Sequence, residues 1–367
     1  MQFKVDKTEL KAALANVSKA IAPKADIKTL EGVLMQLNQG ELRLTGYDLT
    51  QGITTIIGAE SMDSGSFIVQ PKLLSGMINK MPSGDIDFLL DGNNMLTVQS
   101  KKTKFTLPIL SAETYPTIPT LENSNEIEIE QDKLKSLINQ TIFAVATNDT
   151  KPILTGELFE ISNNQLNVVA IDGYRLAVRT EQLNTDDVNI VIPANALNKV
   201  RGLLNDTDKP CKIFHTNKYV TFQIGDYVLF SRLLEGQFHD YKKSIPKTNV
   251  TEVTLNCNEM IDCLERCSLL TNDRIKSPVK CIFKDGEISI SLSTQLGKIN
   301  DVISADIVGP QIEIGFNVKY LLDALKATED TKIRFLMNGS NLPMTVKALQ
   351  GDRFTFLVLP VRLKTNS

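Results

Sequence analysis

Tryptophan is absent from this 367-residue chain, and histidine occurs only as His215 and His239. With so little imidazole, general acid–base chemistry would have to rest on carboxylates, lysine or tyrosine. The five cysteines, Cys211, Cys257, Cys263, Cys267 and Cys281, are odd in number and form no CxxC. That pattern points to reduced, structural thiols in a cytosolic protein. Cys263 and Cys267 stand four apart on a predicted helix, a spacing that a metal could use only with two further ligands. Long apolar runs are also missing. No stretch approaches about 18 apolar residues, so no membrane-spanning helix is expected. The opening Met1-Gln-Phe-Lys-Val lacks the apolar core of a secretory signal. Neither charge is in excess, with 40 Lys+Arg against 43 Asp+Glu and a net charge of -3. The chain therefore lacks the basic footprint of an ordinary nucleic-acid binder.

Catalytic motifs are lacking as well. There is no Walker-A loop, GxGxxG, HExxH, GxSxG or EF-hand loop. Gly297-Lys298 is followed by Ile299 and has no earlier glycine at the required spacing. His239-Asp240 resembles a catalytic pair, but neighbours in a strand point to opposite faces. Asp172-Gly173 reads as a tight turn leaving a strand, with Tyr174 and Arg175 on a polar face beside a core Leu176. These absences favour a scaffold or binding protein, with no enzymatic activity, cofactor or metal expected.

What is present is a repeat. The chain is 42% hydrophobic and 23% charged, enough for the cores of two or three globular domains. Glu9-Leu-Lys-Ala-Ala-Leu begins an amphipathic helix with Leu10, Leu14, Val17 and Ile21 on one face. About 124 residues later comes Lys133-Leu-Lys-Ser-Leu-Ile, and about 126 beyond that Glu259-Met-Ile-Asp-Cys-Leu. An alternating strand precedes each helix, and paired strand-like runs follow it, joined by hairpin turns such as Ser162-Asn-Asn-Gln and Lys284-Asp-Gly-Glu. A second helix recurs, opened by Pro71 and Pro193 at first-turn positions and in the last copy by Asn317 as N-cap. The chain thus reads as α+β, a unit of about 120 residues used three times. Boundaries fall near the Pro-rich Tyr115-Pro-Thr-Ile-Pro-Thr and near Ile245-Pro-Lys-Thr-Asn-Val, giving domains 1–122, 123–249 and 250–367.

Cations gather on the paired helices: Lys7, Lys11 and Lys19 with Lys72 and Lys80, then Lys133 and Lys135 with Lys199 and Arg201. Arg266, Lys319 and Lys326 repeat this more thinly. One such helix is an ordinary solvated face. Three equivalent copies suggest a shared surface that attracts phosphates without reading bases.

The chain resembles the bacterial sliding clamps, the beta subunits of DNA polymerase III. The resemblance runs from Met1-Gln-Phe-Lys-Val to the near-terminal Leu357-Val-Leu-Pro-Val-Arg-Leu. Its most specific segments between are Val169-Ala-Ile-Asp-Gly-Tyr-Arg-Leu-Ala-Val, Leu233-Leu-Glu-Gly-Gln-Phe-His-Asp-Tyr and Gly315-Phe-Asn-Val-Lys-Tyr-Leu. It implies three repeated clamp domains, each with two helices and antiparallel sheets, and a head-to-tail ring dimer with helices lining the hole. The implied function is a polymerase processivity factor that encircles double-stranded DNA without sequence specificity. The implied partners are a second copy, an ATP-driven clamp loader, the replicative polymerase and other proteins carrying a clamp-binding peptide. The location is the cytoplasm, at replication forks on the nucleoid, without membrane contact. A paralogous peptide-binding scaffold that is not loaded on DNA is the alternative.

The resemblance also assigns residues. Lys24 and Asn148 match DNA-contacting positions, with Lys151 close to Asn148 in the chain; Lys72, Lys80, Lys199 and Arg201 join them from the charge pattern of the helices. A cleft for partner peptides takes Leu154, Ile171, Gly173, Tyr174, Arg175 and Leu176 from the second domain and Lys243 from the connection. Ile275, Asn317, Tyr320 and Met344 come from the third domain, and Val358, Leu359, Pro360, Val361 and Arg362 from the C-terminal segment. Residue chemistry alone would put Leu176 and Val358 in the core. The ring interface takes Lys104, Phe105 and Leu107 on one side and Leu269 and Leu270 on the other. The segment Ser293–Asp301 has almost no acidic residues to pair with Lys101, Lys102 and Lys104, which weakens electrostatic closure.

Overall fold

An alternating strand followed at once by a capped helix opens each repeat, and the caps explain where these helices begin. The structure is a computed structural model and describes residues 1–121, 124–148, 150–272 and 277–363. Its α-helices are α1 (Lys7–Val17), α2 (Pro71–Lys80), α3 (Gln131–Thr141), α4 (Ala194–Arg201), α5 (Cys257–Ser268) and α6 (Val318–Lys326). Asp6 ends the first strand, and its carboxylate accepts from the amides of Thr8 (2.7 Å) and Glu9 (2.9 Å). Asn256 does the same for α5, accepting from Asn258 and Glu259. Asn317 caps α6 as its sequence position predicts, accepting from Lys319 (2.9 Å) and Tyr320 (3.3 Å). Each such cap is worth about 1 kcal/mol. Pro71 sits in the first turn of α2. Pro193 does not play that part in α4: it stays in the strand Val188–Pro193, paired with Gly156, and the helix starts one residue later.

The chain forms two compact units, residues 1–134 with 195–233 and residues 135–194 with 234–367. The first unit holds a four-stranded antiparallel sheet in the order Gln2–Asp6, Asp85–Leu90, Met95–Ser100, Thr103–Pro108. Its second sheet has nine strands, and Tyr227–Arg232 of the central repeat pairs in it with Gln51–Gly58 of the first. The second unit is built on twelve strands, in which Arg175–Gln182 of the central repeat pairs with Phe354–Val358 of the last. The central repeat is therefore shared between the units, because its strands complete the sheets of both neighbours.

Predicted turns form as two-residue hairpins. Asn163 and Asn164 (φ 53° and 59°) and Asp285 and Gly286 (φ 54° and 81°) both lie in the left-handed region that such turns require. Gln39 and Gly40 make the equivalent turn in the first repeat. Helix α1 buries Leu10, Ala13, Leu14 and Val17. It stops at Val17, so Ile21 lies beyond the helix in extended backbone rather than on its face. The α1 end comes so close to the sheet that a Cβ on Gly46 would stand 2.1 Å from the Val17 carbonyl. In the second unit Cys257, Cys263, Cys267 and Cys281 pack in one core with Phe283, Phe316, Phe335 and Phe354. All five cysteines are free and buried, as expected of structural thiols. Burial pushes the Cys211 thiol up to about 12, far from reactive.

Candidate functional site

Within the second unit a cavity of about 550 Å³ opens where four segments meet. They are the turn at Asp172–Tyr174, the 3₁₀ turn Pro152–Thr155, the connection through Gln237–Ser244 and the chain leaving strand Phe354–Val358. Strand pairing places them: Leu176 faces Leu357 and Arg175 faces Val358, and the Leu359 amide continues the ladder onto the Tyr174 carbonyl at 2.9 Å. Ile153, Leu154, Ile171, Leu176, Leu357 and Leu359 make the walls apolar. Lys151, Gln237, His239 and Ser244 add polar groups, and no carboxylate is among the described lining residues. The connection is held by Tyr241, whose hydroxyl donates to Glu160 at 2.7 Å. Burial would raise the Glu160 carboxyl, but hydrogen bonds from Tyr241 and Lys242 outweigh it and leave its pKa below the ordinary value.

The turn itself is a compact electrostatic device. The Asp172 carboxylate accepts from the amides of Tyr174 (2.9 Å) and Arg175 (3.0 Å), while Gly173 takes φ +91° between them. Sequence reasoning puts Arg175 on an exposed face, yet it is only 8% exposed. Two carboxylates make that burial tolerable: Nε donates to Asp172 at 2.9 Å and Nη1 to Asp323 at 2.7 Å. The guanidinium also lies 4.6 Å from the Tyr320 ring centre and 5.4 Å from that of Phe143. Tyr320 in turn stacks on Tyr174, centroids 5.7 Å apart, and Tyr174 remains 60% exposed at the cavity.

Of the residues expected in a peptide cleft, Leu154, Ile171, Gly173, Tyr174, Arg175, Leu176 and Leu359 line this cavity. Met344 and Val358 are fully buried in the core and do not line it. Asn317 is engaged as a cap, and Tyr320 sits behind Tyr174. Val361 and Arg362 border a separate cavity of about 380 Å³, where the Val361 amide donates to Gly315 at 2.8 Å. Pro360 is half-buried between the two. Lys243 is exposed and paired with Asp240 at 2.9 Å, outside the lining. Ile275 lies outside the described residues. Ile153, Gln237, Ser244, Pro343 and Leu357 line the cavity without having been singled out. No local pattern marks them, since their relation exists only once distant strands pair. His239 and Asp240 lie in irregular chain before the 3₁₀ turn Tyr241–Ser244, so the strand argument does not apply to them. His239 instead faces Ser244 at 3.3 Å, and Asp240 binds Lys243.

The candidate DNA contacts divide by exposure. Lys24, Lys72, Lys80, Asn148 and Lys151 are exposed, and Lys151 belongs to the cavity lining. Lys199 and Arg201 are half-buried. The Lys199 ammonium donates to the buried Gln51 side chain, and burial lowers its pKa. In the third repeat Lys326 is tied to Glu265 and Arg266 to Asp301.

The candidate interface residues divide likewise. Lys104 is exposed and Phe105 half-buried on the edge strand Thr103–Pro108, whereas Leu107 is in the chain's own core. Leu269 is 78% exposed, and Leu270 leans against the core. Among the described residues, 297–304 of strand Gly297–Val308 pair only with Glu287–Thr294, leaving an open edge beside the exposed Leu296 and Val302.

Family models of the DNA polymerase III beta subunit match residues 1–119 (N-terminal domain), 128–240 (central domain) and 242–362 (C-terminal domain). The chain is 32% identical over 377 residues to the beta sliding clamp of Bacillus subtilis (strain 168), covering 99% of this chain and 100% of that one. Among solved structures it is similar to the DNA polymerase sliding clamp from Bacillus subtilis, with TM-score 0.95 and 31% identity over 99% of this chain and 100% of that one. The DNA polymerase III beta chain from Streptococcus pneumoniae TIGR4 follows at TM-score 0.93 and 29% identity, with coverage of 99% and 100%.

Proposed function

The chain belongs to the DNA polymerase III beta subunit family, and from that premise we propose that it acts as a sliding clamp, the non-enzymatic processivity factor of a DNA polymerase. The observation that carries this reading is the match of three consecutive family domains to three consecutive repeats. We place the repeat boundaries at 122 and 249.

Two copies close head to tail. The open edge at 297–304 and the edge strand Thr103–Pro108 offer complementary unpaired backbone, with Leu269 and Phe105 as apolar contacts. Asp301 is already bound to Arg266, so Lys104 meets little opposing charge, and closure rests on apolar contact and backbone pairing. A closed ring holds duplex DNA by topology, which lets a chain of net charge -3 retain it with weak contacts. Lys24, Lys72, Lys80 and Asn148 supply exposed phosphate contacts, while Lys199 and Arg201 add to the local potential. A separate ATP-driven loader opens the ring at replication forks. The apolar cavity takes a short peptide with a glutamine and apolar anchors from the polymerase and other partners.

The test is retention on a nicked circular plasmid after loading by the matching loader. Retention should survive high salt and vanish once the circle is cut. Reversing charge at Lys24, Lys72 and Lys80 together should reduce loading while leaving peptide binding intact. Salt-sensitive binding that is equal on circles and linear DNA overturns the clamp reading.

A further inference from the structure

Two polar contacts occupy equivalent places in successive repeats, each within one unit. Arg175 begins its strand three residues after Asp172 and reaches Asp323, the sixth residue of α6. Gln51 begins its strand three residues after Asp48, whose carboxylate likewise accepts from the amides of Thr50 and Gln51. The Gln51 side chain accepts from Lys199, the sixth residue of α4. The same turn-to-helix contact thus recurs at two matching positions of the chain.

The chemistry of the two contacts differs. The first in chain order, Lys199 on Gln51, joins an ammonium to a neutral amide. The second is an ion pair whose arginine side chain is 8% exposed and whose Asp323 is 32% exposed. Only the second carries a train of rings: the guanidinium lies against Tyr320, and Tyr320 stacks on the exposed Tyr174 at the cavity. Asp323 does not line the cavity. We infer that Asp323 is a positioning residue for the partner cleft, holding Arg175 so that Tyr320 and Tyr174 present a fixed aromatic wall to the incoming apolar anchor. This rests on the cleft reading given above. Losing the carboxylate leaves Arg175 to Asp172 alone and frees the guanidinium to swing away from Tyr320.

The experiment is a fluorescence-polarisation titration of the full chain with a fluorescein-labelled peptide carrying one glutamine and leucine and phenylalanine anchors. Asp323→Asn should weaken binding about tenfold, within the range for coupled neighbours, and Asp323→Glu should restore most of it. On a Tyr174→Ala background, Asp323→Asn should add less than about a twofold loss, because the wall it positions is gone. Thermal melting monitors folding, and Asp323→Ser is titrated instead if Asp323→Asn does not fold. Binding by Asp323→Asn within about twofold of the unaltered chain overturns the assignment, as does a full loss that persists on Tyr174→Ala. Failure of the unaltered chain to bind the peptide at all would instead overturn the cleft reading itself.

Discussion

His215 ends strand Pro210–His215, 6% exposed, and among the described residues its Nε2 has no hydrogen-bond partner. Burial disfavours its charged form and holds its pKa below the ordinary 6.5. As pH falls through that value, the unfolded chain takes up a proton that the folded chain refuses. The stability this group contributes is therefore present above about pH 6.5 and lost below it. Between about pH 7.5 and 5.5 the melting temperature of His215→Gln should fall less than that of the unaltered chain. Equal slopes would assign the acid sensitivity to carboxylates instead. Arg175 shows the opposite treatment of a buried polar group, paired with two carboxylates and packed against two rings.

At the scale of elements, turns and caps are where local chemistry decides. Asn163 and Asn164 both occupy left-handed backbone, which costs most L-residues roughly 1–2 kcal/mol and asparagine less. Replacing both by alanine should cost about 2 kcal/mol in equilibrium denaturation with an unchanged m-value. A cost below about 0.5 kcal/mol would mean that the strands Gly156–Ser162 and Gln165–Ile171 impose the turn themselves. The two-residue turns at Asn163-Asn164 and Asp285-Gly286 were readable beforehand because glycine and asparagine announce them. The end of α1 at Val17 was not readable. Leu10, Leu14, Val17 and Ile21 keep helical spacing, and the approach of the sheet at Gly46 overrides it.

For the whole molecule the decisive surfaces are edges. Leu269, 78% exposed, and the open edge at 297–304 have no covering partner among the described residues. In the proposed ring, Leu269→Asp would place a charge in each of the two interfaces. Dimerisation should weaken by about a hundredfold or more, read by sedimentation velocity, with circular dichroism unchanged. A dimer that survives this change would place the interface elsewhere. Leu107→Asp should instead unfold the chain, because that residue is core rather than surface.

The amino-acid sequence by itself determined the threefold repeat, the helix cap at Asn317 and the apolar strands. It also determined the absence of the familiar catalytic motifs, because each of these is encoded by residues near one another in the chain. Only the tertiary structure decided which cations are free and which are tied, as with Lys199 on Gln51. The same holds for which leucine is core and which is surface, as with Leu107 and Leu269. It alone assembled a cavity from Ile153, Gln237, Pro343 and Leu357. Such residues meet only when strands of different repeats pair, and no local pattern records a contact whose partner lies more than a hundred positions away.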